Sequence, residues 1–200
     1  MTRTSRQARK ASHRARLLAA AVEVFAERGY DGAGVHEIAR RAGFTHGAVY
    51  SHFRSKAELL VAAIRAQTDD QFDTLLVPCD SGSAIALEEM AARLGSARSS
   101  TTSALVLEAI VAARRDPDLA LLFEQQMGAH GEVLDEAVTQ GKDDGAIDSS
   151  VSQASLVHFW RALIMGSLVV GAIDSHQPEE GEWDALVARL VNALAVVDSR

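Results

Sequence analysis

Apolar residues recur at three- and four-residue spacing along nearly the whole of this 200-residue chain, and nowhere do they alternate with polar ones in the period of a strand. That periodicity confines the chain to an all-α fold. From Arg14 onward, Leu17, Leu18, Ala21, Val22 and Phe25 mark one face of a first helix, which Gly29 closes in the left-handed conformation. After a turn over 30–34, residues 35–42 form a short helix with Ile38 and Ala39 inward, opened at Gly34 and ended by Gly43. Thr45 caps a third helix over 46–53, with Val49 and Phe53 inward. Ser55 and Glu58 form a capping box for a fourth, which carries Leu59, Leu60, Ala63 and Ile64 and runs to about residue 77.

Residues 78–83, Pro-Cys-Asp-Ser-Gly-Ser, are a break rich in turn formers. Helices over 84–94 and 102–115 follow. Asp116 and Pro117 then supply an N-cap and a first-turn proline for a helix over 117–140. The string Gly-Lys-Asp-Asp-Gly at 141–145 is a second break, and beyond it lie helices over 152–173 and 183–197. About nine helices result, with no internal repeat.

Net charge is −7, which on its face argues against a polyanionic partner, but the average hides a partition. Residues 1–65 hold 12 Lys/Arg against five Asp/Glu, an excess of seven positive charges that leaves −14 on the remainder. A basic head on an acidic body turns one surface toward a polyanion and keeps the other away. Cys79 is the one cysteine, so no disulfide closes within the chain, which suits a cytoplasmic setting. The basic start has no apolar signal core. The most apolar stretch, 156–172, is interrupted by His158 and Arg161 and falls short of the roughly 20 residues that span a bilayer, so no membrane partner is expected.

Two short helices joined by Ala42-Gly43-Phe44-Thr45, with a longer helix before them, match the helix-turn-helix, whose second member lies in the major groove of DNA. The ungapped string over 14–64 closely resembles the N-terminal domain of the TetR family of bacterial transcriptional regulators. Its most specific pieces are Phe25-Ala26-Glu27-Arg28-Gly29-Tyr30, Ile38-Ala39 through Ala42-Gly43, and Gly47-Ala48-Val49-Tyr50-Ser51-His52-Phe53 followed by Ser55-Lys56. At Ala33-Gly34 the chain lacks the hydroxyl that the family usually carries.

The resemblance implies a DNA-binding domain over 1–65, with a recognition helix over 45–52 whose Thr45, His46, Gly47, Tyr50 and His52 face the duplex. Lys56, in the first turn of helix four, is unhelpful to the helix dipole, and that mismatch points to a phosphate partner. His36 and Arg40 on helix two are weaker candidates, and Arg6, Arg9 and Lys10 form an arm that reaches a groove or supplies counter-charge.

Residues 66–200 resemble the family in layout. By that resemblance they form a ligand-binding and dimerisation domain. The helix over 152–173 is apolar on more than one face, which suits a homodimer interface through Leu156, Trp160, Leu163, Ile164 and Leu168, with Ala162 and Gly166 permitting close helix approach. The resemblance also implies a pocket for a small-molecule effector, for which Met90, Leu107, Glu108, Phe123, Met127, His130, Trp160 and Met165 are candidate linings; each is equally a core residue at helical spacing. No nucleophile motif, phosphate-binding Gly-rich loop or Cys/His cluster occurs in the sequence, so neither an enzyme nor a cofactor or metal site is expected. The expected function is a homodimeric repressor released from a near-palindromic double-stranded DNA operator by a small molecule. An alternative keeps the DNA and replaces the small molecule by a recruited protein.

Overall fold

A computed structural model of the chain describes residues 3–75, 100–173, 179 and 181–193. Eight helices and no strand occur among them: α1 (Arg3–Gly32), α2 (Val35–Ala42), α3 (His46–Tyr50), α4 (Lys56–Leu75), α5 (Ser100–Ala113), α6 (Pro117–Asp143), α7 (Gln153–Ile173) and α8 (Glu182–Asn192). The helix expected over 84–94, together with Met90 and Cys79, lies outside the described residues.

Two local departures from the periodicity reading have physical causes. Helix α1 begins at Arg3 rather than near Arg14, because no proline or glycine interrupts the first 28 residues and Ala, Arg, Gln and Lys are strong helix formers. The basic arm is therefore part of a helix. At Gly29 the backbone has φ 66 and ψ 177, a positive φ as expected but in the extended region that only glycine enters readily, not the left-handed helical one. Gly43, by contrast, has φ 74 and ψ 33 and closes α2 in the left-handed conformation.

The chain divides into two compact units. The first comprises residues 1–68 together with 104–126. Its core takes Leu17, Ala21, Val24 and Phe25 from α1, Ile38 and Ala39 from α2, Val49 from α3, Phe53, and Leu59, Leu60 and Ile64 from α4, all essentially without solvent contact. Leu105, Ala109 and Ala112 of α5 and Leu119 of α6 are buried in the same unit.

The second unit comprises 69–103 and 127–200. Leu134 and Val138 of α6, Ile147, Leu156, Val157 and Trp160 of α7 and Val187 of α8 make its described core, with Val151, Leu163 and Trp183 packed against it. Leu156 and Trp160 are thus buried in their own subunit. They do not lie on an open face for a partner, a correction to the interface read from the sequence: every third or fourth apolar residue of α7 is taken up by α6 and α8.

Helix α7 is long and apolar enough, by length and composition, to cross a membrane over Gln153–Val170. Its apolar residues have another use, however, since one face packs in this core and the other is considered below.

Candidate nucleic-acid interface

The helix-turn-helix is held by contacts that leave one surface of α3 open. Gly43 ends α2, and the guanidinium of Arg16 on α1 donates a 2.8 Å hydrogen bond to the Ala42 carbonyl left free there. A Cβ on Gly43 would lie 2.9 Å from that guanidinium and displace it, and the positive φ strains any other residue there. The same guanidinium covers Phe44 at 4.9 Å, and His13 meets Phe44 at 4.8 Å. Arg41 of α2 grips both oxygens of Glu27 on α1 at 2.6 and 2.8 Å, with Glu23 and Glu37 close by. That pairing holds the Glu27 carboxyl below its ordinary pKa.

Helix α3 covers only His46–Tyr50; Ser51 ends it, its hydroxyl bonded to the Ala48 carbonyl at 2.7 Å. Thr45 occupies the N-cap position with extended backbone, yet its hydroxyl makes no capping bond and is exposed. Gly47 and Tyr50 are exposed as well, His46 is half-buried, and Val49 faces inward. A Cβ added at Gly47 would meet nothing within 4 Å, and its φ is not positive. Neither packing nor conformation within the chain requires glycine there.

The imidazole of His46 is sandwiched. It stacks on His36 of α2 with centroids 4.1 Å apart and planes 11° from parallel, and meets the edge of Tyr50 at 4.9 Å. His36, His46 and Tyr50, drawn from two helices, thus form one exposed aromatic group. The Arg40 side chain is exposed, with no hydrogen bond or ion pair among the described residues, whereas its neighbour Arg41 is spent on carboxylates.

Lys56 sits elsewhere than the charge argument placed it. Its ammonium donates to the Tyr30 carbonyl at 2.8 Å and to that of Ala33 at 3.4 Å, and lies 4.4 Å from the centre of the Tyr30 ring. A lysine in the first turn of α4 is explained by these acceptors, without a phosphate. Behind it, Ser55 accepts the Glu58 N–H at 3.1 Å, one half of the expected capping box. Glu58 returns its carboxylate to the N–H of Arg54 rather than to that of Ser55.

Tyr30, to which the sequence assigned no role beyond its place in the resembling string, is the junction of the first unit. Its N–H donates to Glu108 Oε1 of α5 at 2.6 Å, its hydroxyl to Asp116 Oδ2 at 2.6 Å, and its carbonyl receives Lys56. Asp116 is also the N-cap of α6, accepting the Leu119 N–H at 3.0 Å. The Tyr30 hydrogen bond, with that of Leu119, holds the Asp116 carboxyl below its ordinary pKa. Burial, with Asp116 beside it, pushes the Tyr30 phenol well above its own. Arg115 pairs with Asp31 at 2.7 Å at the rim. Glu108, proposed from sequence as a pocket lining, is engaged with backbone instead. The only signal for this was a tyrosine directly after a glycine at a helix end.

Of the other candidate linings, Leu107 and Phe123 are half-buried in the first unit, and Met127 and Met165 half-buried and Trp160 buried in the second. Met90 and the side chain of His130 lie outside the described residues. Among those described, no group of three or more His, Cys, Asp or Glu is placed to hold a metal ion.

Residues 17–63 match the model of the family described as bacterial regulatory proteins, tetR family. Among curated proteins, the transcriptional activator FasR of Mycolicibacterium smegmatis is 49% identical over 57 residues, 28% of this chain and 26% of that protein. SrpR, a regulator of Pseudomonas putida, is 46% identical over 54 residues, 27% of this chain and 25% of that protein. The matched stretch therefore spans about a quarter of these relatives. An uncharacterized HTH-type regulator of Mycobacterium tuberculosis is 29% identical over 142 residues, 68% of this chain and 71% of that protein.

Solved structures carry the likeness in fold to nearly the whole chain. A TetR-family regulator from Rhodococcus sp. has a TM-score of 0.77 at 18% identity, covering 93% of this chain and all of that one. FadR of Bacillus subtilis, in complex with stearoyl-CoA, has a TM-score of 0.76 at 18% identity, covering 90% and 98%. The N-terminal segment thus carries the match to the tetR family of bacterial regulatory proteins, and the fold of nearly the whole chain is similar to that of solved regulators.

Proposed function

We propose that the protein is a homodimeric, cytoplasmic transcriptional regulator, a repressor that leaves a near-palindromic operator when a small molecule binds. The observation that carries the DNA half of this reading is α3. Its exposed Thr45, Gly47 and Tyr50, with half-buried His46, offer polar and aromatic groups on a helix docked through Val49, and Gly47 answers no need of the chain itself. His36, Arg40 and His52 border the same helix.

A second copy of the chain is the fitting partner for the outer face of α7 and α8. Phe159, Ala162, Gly166, Val170 and Ile173 form an exposed stripe at three- and four-residue spacing, Val170 being 52% and Ile173 73% accessible. On α8, Leu186 and Leu190 add to it at 51% and 44%. A stripe of this kind, with two small residues at its centre, lets helices approach closely, and each large apolar side chain covered is worth about 1 kcal/mol, being half exposed beforehand. Ile164 and Leu168, half-buried, flank it.

For the effector, support comes from two orphaned donors and one neighbour. The indole N–H groups of Trp160 and Trp183 are buried without a partner among the described residues. FadR of Bacillus subtilis holds stearoyl-CoA. A long-chain acyl thioester is accordingly the first compound to try, with Met127 and Met165 of the same unit as further candidate contacts.

The test is selection of bound duplexes from random DNA, repeated with stearoyl-CoA and shorter acyl-CoAs. An enriched inverted repeat, with half-sites about one helical turn apart and occupancy lowered by an effector, supports the reading. Recovery of unrelated sequences at a single affinity would sink it.

A further inference from the structure

The face of α1 that is apolar inside the first unit becomes cationic before it. Lys10, His13 and Arg14 precede the buried Leu17 by seven, four and three residues, which puts all four on one side of the helix; Ala21 and Val24 continue that side inward. Lys10 and Arg14 are exposed and His13 is half-buried. No Asp or Glu occurs in the first 22 residues, and none of the three cations has an ion pair among the described residues.

Two of these side chains are anchored on aromatic rings. His13 rests on Phe44 of the helix-turn-helix turn, and the Arg14 guanidinium covers the ring of Phe53 at 5.2 Å. The neighbour of Phe53 is His52, half-buried in the turn that follows α3. Burial first, and then the charges of Lys10, His13 and Arg14, push the His52 imidazole below its ordinary pKa. Three basic groups of α1 and the histidine that follows α3 thus lie within electrostatic reach of one another, and none of them has an ion pair among the described residues.

We propose that Lys10, His13, Arg14 and His52 form a single anion site that receives one backbone phosphate of the DNA bordering the groove read by α3. The proposal rests on the DNA-binding reading above and adds to it a site for positioning rather than for reading bases. Position is its use: a phosphate held at the junction of α1 and α3 fixes how far the recognition helix enters the groove. Seating the phosphate also favours the charged form of His52, so binding takes up a proton in the histidine range.

The experiment compares the wild type with Lys10→Gln, the double variant Lys10→Gln/Arg14→Gln, His52→Gln and the control Arg9→Gln. Affinity is measured for the duplex recovered by selection and for a random duplex of equal length, across salt concentration and from pH 6 to 8. Because one phosphate serves both cations, the double variant lowers the slope of log K against log salt by about one rather than two. It weakens both duplexes by the same factor, and Lys10→Gln alone, which removes no packing, does so in part. Arg9→Gln changes the slope by less than half as much. Wild-type affinity falls as pH rises, and His52→Gln flattens that dependence.

An unchanged slope in the double variant, with wild-type binding intact, overturns the site and leaves the DNA-binding reading standing. So does a loss confined to the selected duplex, which would make these residues base readers. A wild type that binds neither duplex overturns the DNA-binding reading itself.

Discussion

The phenol of Tyr30 donates a 2.6 Å hydrogen bond to Oδ2 of Asp116, 86 residues later in the chain. Through it the end of α1 is fixed to the residue that starts α6. Tyr30→Phe keeps the ring against Lys56 and Phe25 and removes only the hydroxyl. It should cost about 1–2 kcal/mol in denaturant unfolding, within the range for a hydrogen bond to a charged group and discounted for the partial exposure of Asp116.

The same pair sets an acid dependence. Asp116 has its pKa lowered in the fold, so the stability it contributes is fully present above its unfolded value and is lost as pH falls through the folded one. Tyr30→Phe removes the larger cause of that shift. The stability gap between wild type and variant should be constant near neutrality and close as the solution is acidified below about pH 4. A gap that widens in acid would contradict the assignment.

Lys56→Ala should reduce stability and leave salt dependence nearly alone. Its ammonium bonds the Tyr30 and Ala33 carbonyls, so the loss is that of a charged donor to two acceptors, about 1–3 kcal/mol. If Lys56 contacted a phosphate, the slope of log K against log salt would fall by about one. Thermal unfolding and salt titration of the one variant separate these roles.

Gly47→Ala should separate fold from binding in the opposite way. An exposed helical glycine with nothing near its missing Cβ gains up to about 1 kcal/mol on becoming alanine. Binding of the selected duplex should weaken at least tenfold, because a methyl then stands where backbone meets DNA. Tight binding by a stabilised Gly47→Ala protein would remove α3 from close groove contact.

Val170→Arg combined with Leu186→Arg should produce monomers in sedimentation while leaving helicity unchanged, since both side chains are about half exposed and outside the core of their own unit. Affinity for the full inverted repeat should drop steeply, and affinity for one half-site should be unaffected.

Much of the first unit was legible because its signals are local. Residues 35–42 were bounded by glycines and by Ile38 and Ala39, and the helix runs over those same residues with Gly43 left-handed. What escaped was set by partners distant in sequence. The ψ of Gly29 follows from Glu108, whose carboxylate stands 2.9 Å from where a Cβ would be and takes the next N–H. Lys56 looked misplaced because its acceptors, Tyr30 and Ala33, lie 26 and 23 residues earlier. Leu156 and Trp160 carried the right character for an interface and the wrong phase: apolar periodicity alone does not say which of two buried faces belongs to the subunit's own core.

The inclusion of residues 104–126 in the first unit bears on how this protein is cut or recombined. A fragment ending near residue 68 would leave the Tyr30 N–H and hydroxyl without acceptors and uncover the surface that Leu105, Ala109 and Leu119 close. The reading head is discontinuous in sequence, completed by a return of the chain some forty residues later. Chimaeras that transplant it onto a different helical body must carry that returning segment or supply its equivalent, and junctions at residue 65 should yield insoluble products.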